Sequence, residues 1–388
     1  MVDLRVPPLD ELHERRSEKW APWPRDVVSS TIAEMDFPLA PPVAAALHAA
    51  VDRHDLGYAP ARPQELVDAF EGFARRRLDW EVDPEQVRVV PDVMVGLLEL
   101  CRVLLGPGQG VAFTTPAYPP FIEEFHQAAA VVEQLPLAAD GTTDLAAIER
   151  SFARGVRALV LASPHNPTGR VLPRDELAEI AALCASCGVW ALVDEIHAPL
   201  TLRGARHTPW LEVSDDARAC GIVLTSASKA FNLAGLKTAL VVTAAGSAAD
   251  ALARMPGLSD RAGLLGVVAG EAAFRDGDEW LDTVLAQLDE NRGLLGRLLD
   301  DELPAVRWTP PQATYLAWLD CRGLGMGDDP ASVFLERGRV ALGRGLDYGT
   351  AGARHVRLNF ATSPELLTEI VRRAASVIAD TSPAPTPA

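Results

Sequence analysis

Lys229 stands in "LTSASKAFNLAGLK" (224–237), where an apolar strand gives way to Ser226, Ala227 and Ser228. A lysine drawn out of water is costly as a cation and gives up its proton more easily. The position suits either a solvated charge at a strand end or an amine prepared for carbonyl chemistry. Other residues with chemical potential stand at comparable places. Asn166 follows "VRALVLA" in "SPHNPTG", Asp194 closes "VWALVDE" with His197 three residues on, and Tyr118 lies in "TTPAYPP". Taken singly, each has a structural reading. Asn166 suits a turn, Asp194 a helix cap, and Tyr118 a core or an interface. Taken together they fit one chemistry. A strand-end lysine can bond an aldehyde cofactor, and a carboxylate can hold a pyridine nitrogen protonated. An amide and an imidazole can bond a ring hydroxyl, and an aromatic can stack on the ring. Ser226, Ser228 and a helix N-terminus at 92–94 can hold a phosphate. These are the parts that pyridoxal phosphate requires.

The elements that must position these residues alternate. "VRVV" (87–90), "GVAF" (110–113), "VRALVLA" (156–162), "VWALVDE" (189–195) and "GIVLTS" (221–226) are near-continuous apolar runs. Between them lie helical patterns such as "LPRDELAEIAALCASCG", which ends at Gly188. Such strands, separated by helices, predict a mostly parallel sheet covered on both faces. Ligands of such sheets bind beyond the carboxyl ends of the strands. "GPGQG" (106–110) precedes a strand instead of following one, so it reads as a turn. The chain ends read differently. Residues 1–45 are proline-rich and irregular, and a long helix after about 275 leads to "TYLAWLDC" and "HVRLNFA", which alternate like antiparallel strands. The expected architecture is a large α/β domain over 46–280 and a smaller α+β domain built from 1–45 and 281–388. The Pro/Ala/Thr-rich stretch 380–388 is expected to be disordered.

Bulk composition narrows the function. The chain has 388 residues and a net charge of −17, from 36 basic and 53 acidic side chains. That balance argues against a nucleic-acid binder. No run approaches the length of a membrane span, and the charged N-terminus lacks an apolar signal core, so the expected location is the cytoplasm. The five cysteines are scattered and odd in number, unlike a disulfide framework. Cys184 and Cys187 form a C-x-x-C late in a helical pattern, without a second pair at zinc-like spacing. They read as small core residues, and no metal is expected.

"SPHNPTG", "VDEIHAPL", "SASKAFNLAGLK" and "HVRLNFA" resemble, in order and spacing over about 30–375, the fold-type I, class I/II aminotransferase superfamily of pyridoxal-phosphate enzymes. "IAEMDFPLAPPVAAAL", "LGYAP", "TTPAYPPF" and "DEIH" resemble its MalY/PatB branch of cystathionine β-lyase-type carbon–sulfur lyases. The resemblance implies a seven-stranded, mostly parallel sheet. It makes Lys229 the Schiff-base lysine and main proton shuttle, Asp194 the partner of the pyridine nitrogen and Asn166 the ligand of the ring hydroxyl. His197 stands where many aminotransferases have a tyrosine. Tyr118 matches the stacking aromatic, Ser226 and Ser228 the phosphate ligands, and Val93 and Met94 would offer backbone N–H groups to the phosphate. Arg357, with Asn166 and Ala33, would hold the substrate α-carboxylate, a task suited to a planar fork. Tyr58 matches a tyrosine that reaches the neighbouring subunit's phosphate, which implies a homodimer. Tyr118 or Tyr58 would assist the leaving sulfur. Two positions depart from the pattern. Asp92 replaces a small residue before the phosphate turn, and Lys237 stands where aminotransferases carry an arginine.

The expected reaction is β-elimination from L-cystathionine or a related cysteine thioether, giving a thiol, pyruvate and ammonia. Transamination would use the same residues. A protein-binding regulator on the same fold is the non-enzymatic alternative.

Overall fold

The structure is a computed structural model that describes residues 2–138, 140–257 and 261–379. The stretch 380–388 lies outside the described residues. Among the described residues twelve strands form two sheets: β1 (Val28–Ser30), β2 (Val87–Val90), β3 (Gly110–Thr115), β4 (Val131–Pro136), β5 (Val156–Ala162), β6 (Trp190–Asp194), β7 (Gly221–Thr225), β8 (Ala239–Thr243), β9 (Arg307–Trp308), β10 (Leu316–Asp320), β11 (Val340–Arg344) and β12 (His355–Asn359).

The seven-stranded sheet has the order β2-β8-β7-β6-β5-β3-β4. All its pairs are parallel except those of β8, which runs antiparallel to β2 and β7. This is the seven-stranded, mostly parallel sheet that the resemblance implies. Successive side chains of β5–β7 point to opposite faces, and both faces are filled. Val160, Leu192 and Leu224 pack in one core layer, Leu159, Val193 and Val223 in the other. This is why these runs carry no polar alternation. Pairing sets Ala162 beside Asp194 and Asp194 beside Leu224, so the carboxyl ends of β5, β6 and β7 finish level.

The helix Val93–Leu104 starts at the end of β2. Asp92 is its N-cap, with the carboxylate accepting from the Val95 N–H at 2.8 Å. Gly96 lets this helix lie close on the sheet, since a Cβ there would come within 2.7 Å of the Leu224 side chain. The helix Arg174–Cys187 opens with Asp175 and Glu176 and stops at Gly188 in the left-handed conformation, as its pattern predicts. Within it Cys184 is buried, whereas Cys187 is exposed and does not belong to the core.

The second sheet has the order β1-β11-β12-β10-β9. β10 and β12 pair antiparallel, with Trp318 opposite Arg357, while β1 joins β11 in parallel. The N-terminal region is therefore less irregular than its prolines suggest. It supplies an edge strand and, from Pro41, a helix that runs to Asp52. The helix Asp278–Glu302 connects the two sheets. Trp280 stacks on Phe231, just after the Lys229 turn, and Asn291 donates to the carbonyls of Phe360 and Thr362 beyond β12.

Candidate active site

Lys229 sits in a single helical turn, Ala227–Ala230, directly after β7. Ser226 caps that turn. Its hydroxyl lies 2.6 Å from the Thr238 carbonyl and accepts from the Ser228 N–H at 3.0 Å. With its one proton given to Thr238, Ser226 takes up the Ser228 hydroxyl, 2.8 Å away, as an acceptor. The Ser226 side chain is thus engaged inside the loop, and Ser228 is the one able to turn toward a ligand.

The Lys229 amine donates to the Ala33 carbonyl at 3.0 Å, and that oxygen also accepts from the Tyr315 hydroxyl at 2.9 Å. The extended segment carrying Ala33 is pinned from three sides. Asn232 bonds the N–H and carbonyl of Met35, Asn359 donates to the carbonyls of Ile32 and Glu34, and Arg357 Nη2 donates to Thr31 at 2.8 Å. Arg357 Nη1 donates to Asn166 Oδ1 at 3.1 Å, and its guanidinium lies 5.1 Å from the Tyr348 ring. Asn166 is held in the loop after β5, where Gly169 adopts a φ of +67° and a Cβ would run into Pro311.

Burial tunes the charges. It lowers the Lys229 amine to about 8, helped by the positive Arg357 nearby. It raises the Asp194 carboxyl to about 7, against one hydrogen bond from the Ile196 N–H and the pull of Lys229. It holds His197 neutral down to about 3, with Lys229 and Arg357 adding repulsion. Tyr118 stays protonated to about 12, chiefly through burial. Strong shifts gathered at one place are a mark of a chemical site.

A cavity of ≈ 570 Å³ opens onto this set, with Ala33, Tyr118, Lys229, Tyr348 and Arg357 in its wall. Asn166 joins it through Arg357, and Asp194 and His197 through the field of Lys229. Val93 and Met94 open the first turn of the helix that Asp92 caps, where backbone N–H groups lack helical partners. Asp92 turns one oxygen into that cap and the other toward Lys237, whose amine is 3.1 Å away. Tyr58 is not brought to the cavity of its own chain. It is 91% exposed, with the Arg261 guanidinium 5.9 Å from its ring. Sequence reasoning did not find Thr31, Tyr315 or Tyr348, which carry no motif of their own.

Whether these residues fit pyridoxal phosphate is tested by the groups left without partners. Asp194 is a buried carboxylate that accepts from the Ile196 N–H and is bonded directly by no cation among the described residues. His197 Nδ1 and Arg357 Nε are buried and have no hydrogen-bond partner among the described residues. A buried acid, a neutral imidazole and a half-buried amine suit the pyridine nitrogen, the ring and the aldehyde of pyridoxal phosphate, and the unpaired guanidinium donor suits a substrate carboxylate. The residues fit.

Residues 28–373 match the sequence model of the family described as aminotransferase class I and II. A Mycobacterium tuberculosis protein, provisionally named cystathionine beta-lyase, is 43% identical over 94% of this chain and 97% of its own. The cystathionine beta-lyase of Corynebacterium glutamicum is 36% identical over 97% of this chain and 100% of its own. A crystal structure from Corynebacterium diphtheriae, provisionally named a PLP-dependent beta-cystathionase, superposes with a TM-score of 0.92 at 35% identity, covering 97% of this chain and 99% of that one.

Proposed function

The chain belongs to the aminotransferase class I and II family, in its MalY/PatB branch of pyridoxal-phosphate-dependent carbon–sulfur lyases, and on that premise we propose that it cleaves L-cystathionine or a related cysteine thioether to a thiol, pyruvate and ammonia. The observation that carries this reading is one cavity walled by a half-buried amine, Lys229, and a buried guanidinium, Arg357, with the buried acid Asp194 at the neighbouring strand end. When bound there, pyridoxal phosphate supplies an electron-poor ring that takes up the charge left when the substrate Cα loses its proton.

The chain's own residues do the rest. Arg357 receives the α-carboxylate through its unpartnered Nε and the fork beside it, with Asn166 and the Ala33 segment fixing its orientation. Lys229, neutral in an appreciable fraction near pH 8, takes the Cα proton. Asp194 would keep the ring nitrogen protonated, Asn166 and His197 would hold the ring hydroxyl, and Tyr118 would hold the ring itself. Ser228, Lys237 and the N–H groups of Val93 and Met94 would hold the phosphate, while Ser226, engaged with Thr238 and Ser228, would fix the loop that carries them. Tyr118, protonated across the working pH range, donates to the sulfur leaving Cβ.

The finer assignments belong to the same proposal. The enzyme acts as a cytoplasmic homodimer in which Tyr58 serves the neighbouring subunit's phosphate. The exposure of Tyr58, beside Leu56 at 59%, supports burial in a dimer, and five free thiols suit a reducing compartment. Among the described residues no helix is long and apolar enough to cross a membrane. The division into 46–280 and 1–45 with 281–388 belongs to the same proposal; its boundaries fall inside the helices Pro41–Asp52 and Asp278–Glu302, and 380–388 lies outside the described residues.

Purified, cofactor-loaded enzyme mixed with L-cystathionine tests the reading. Many equivalents of pyruvate per subunit are expected. A single equivalent of amine transfer, repeated only after a keto acid is added, would instead mean transamination.

A further inference from the structure

The cavity above Lys229 extends past Arg357 to a rim whose charges have no task in the chemistry described so far. Glu18, Glu123 and Asp347 line it, with Arg344 among them. The Glu18 and Glu123 carboxylates form no hydrogen bond or ion pair with any described residue. Glu123 stands on the short helix Pro119–Glu124 that Tyr118 caps, and the charge of Glu18 is felt at the Tyr118 phenol. Both carboxylates therefore lie near the point from which the sulfur must leave. Arg344 is already committed, with Nε donating to Asp329 at 2.7 Å and Nη1 to Asp347 at 3.4 Å. Its Nη2 donates to no described residue.

The rim thus opposes three carboxylates to one guanidinium that is itself paired. The less exposed cations, half-buried Lys229 and buried Arg357, lie deeper than these exposed carboxylates, and Arg357 takes the α-carboxylate of the half that stays. A leaving half carrying only a negative charge meets like charge at the rim. One carrying an ammonium meets two unpaired carboxylates, with the spare edge of Arg344 beside them for its own carboxylate. We propose that Glu18 and Glu123 are specificity-determining residues, which favour thioethers whose leaving half carries an ammonium over those whose leaving half carries only a carboxylate. This inference rests on the lyase reading.

Three thioethers of matched skeleton test it on the holoenzyme. L-Cystathionine carries both charges on its leaving half, S-(3-aminopropyl)-L-cysteine keeps only the ammonium, and S-(3-carboxypropyl)-L-cysteine keeps only the carboxylate. The two ammonium-bearing compounds should have kcat/KM about three- to tenfold above the third, the scale of one or two exposed charge pairs. The difference should lie in KM and shrink in high salt. In the Glu18→Gln, Glu123→Gln double variant the ratio should fall toward one. Equal KM for all three, or a ratio unchanged in the double variant, overturns the proposal. Calorimetric binding of the same compounds to the cofactor-loaded Lys229→Ala variant separates the two readings. The same ranking there, without pyruvate from any compound in the wild type, would remove the lyase reading and leave the charge selection standing.

Discussion

Lys229 and Tyr315 donate to one carbonyl oxygen, that of Ala33, at 3.0 and 2.9 Å. The amine that is to remove a proton is thus held by the backbone of a segment about two hundred residues earlier in the chain. Lys229→Ala should lower kcat for pyruvate release by about 10²- to 10⁴-fold, the scale of a lost general base. Lys229→Arg should not recover it, because a guanidinium does not deprotonate in a protein. Retained steady-state turnover in either variant would remove Lys229 from this role. Tyr315→Phe leaves Ala33 its bond to Lys229, so thermal unfolding should report a loss of only about 0.5–1.5 kcal/mol.

Much of this site was legible because its residues stand at strand ends. The runs 156–162, 189–195 and 221–226 carry no polar alternation, and that alone predicts buried parallel strands ending near Asn166, Asp194 and Lys229. Tyr315 and Thr31 were not legible. Tyr315 meets Ala33 across 282 residues and Arg357 meets Thr31 across 326, and no local pattern announces such contacts. β1 escaped for a related reason. Its three residues, Val28–Ser30, hold their place by pairing with β11, not by propensity. The role of Asp92 depended on direction. A carboxylate at 92 would repel a phosphate unless it turned away to cap the helix, and the structure turns one oxygen to that cap and the other to Lys237.

Asp194 makes stability depend on pH in a defined sense. Burial raises its carboxyl from 3.8 to about 7. Between those values the folded chain keeps a proton that the unfolded chain has released, so this group's contribution falls as pH rises. The full cost, about 4 kcal/mol at 1.36 kcal/mol per unit, is reached above pH 7. His165 and His197, held neutral to about 4 and about 3, act in the opposite direction. The effect is therefore read as a difference. In cofactor-free protein, Asp194→Asn should gain stability relative to wild type between pH 4 and pH 7, while losing activity when reloaded. A pH-independent difference in denaturant melts would contradict this.

Asp92 separates a cap from a charge. Asp92→Asn keeps a side chain that caps as well and should leave the melting temperature nearly unchanged. It also releases Lys237 and removes a negative charge beside the phosphate turn, so pyridoxal phosphate should bind a few-fold more tightly in equilibrium dialysis. Asp92→Ala loses the cap and should cost about 1 kcal/mol. Weaker cofactor binding by the asparagine variant would mean that the carboxylate itself supports the site.

Arg357 cannot be replaced by its charge alone. Its two ends reach Asn166 and Thr31 at once, a fork that a lysine lacks. Arg357→Lys should raise KM about 10- to 100-fold, the scale of a lost charge-assisted hydrogen bond, with a smaller effect on kcat. A fall in kcat at unchanged KM would move the α-carboxylate elsewhere.

Tyr58 offers the sharpest test of the assembly, because it is 91% exposed and away from the cavity of its own chain. If it serves a partner's phosphate, each active site takes Lys229 from one chain and Tyr58 from the other. Tyr58→Ala and Lys229→Ala proteins should each have low activity alone. Denatured together and refolded at equal amounts, half of the dimers are mixed, and each mixed dimer has one site with both residues intact. Activity should then recover to about a quarter of wild type, as expected for random pairing in a two-fold dimer. A tyrosine acting within its own chain predicts no such gain, because each site in the mixed dimer would then lack one of the two residues. Recovery well below a quarter, with mixed dimers verified by mass, would place Tyr58 outside the shared site.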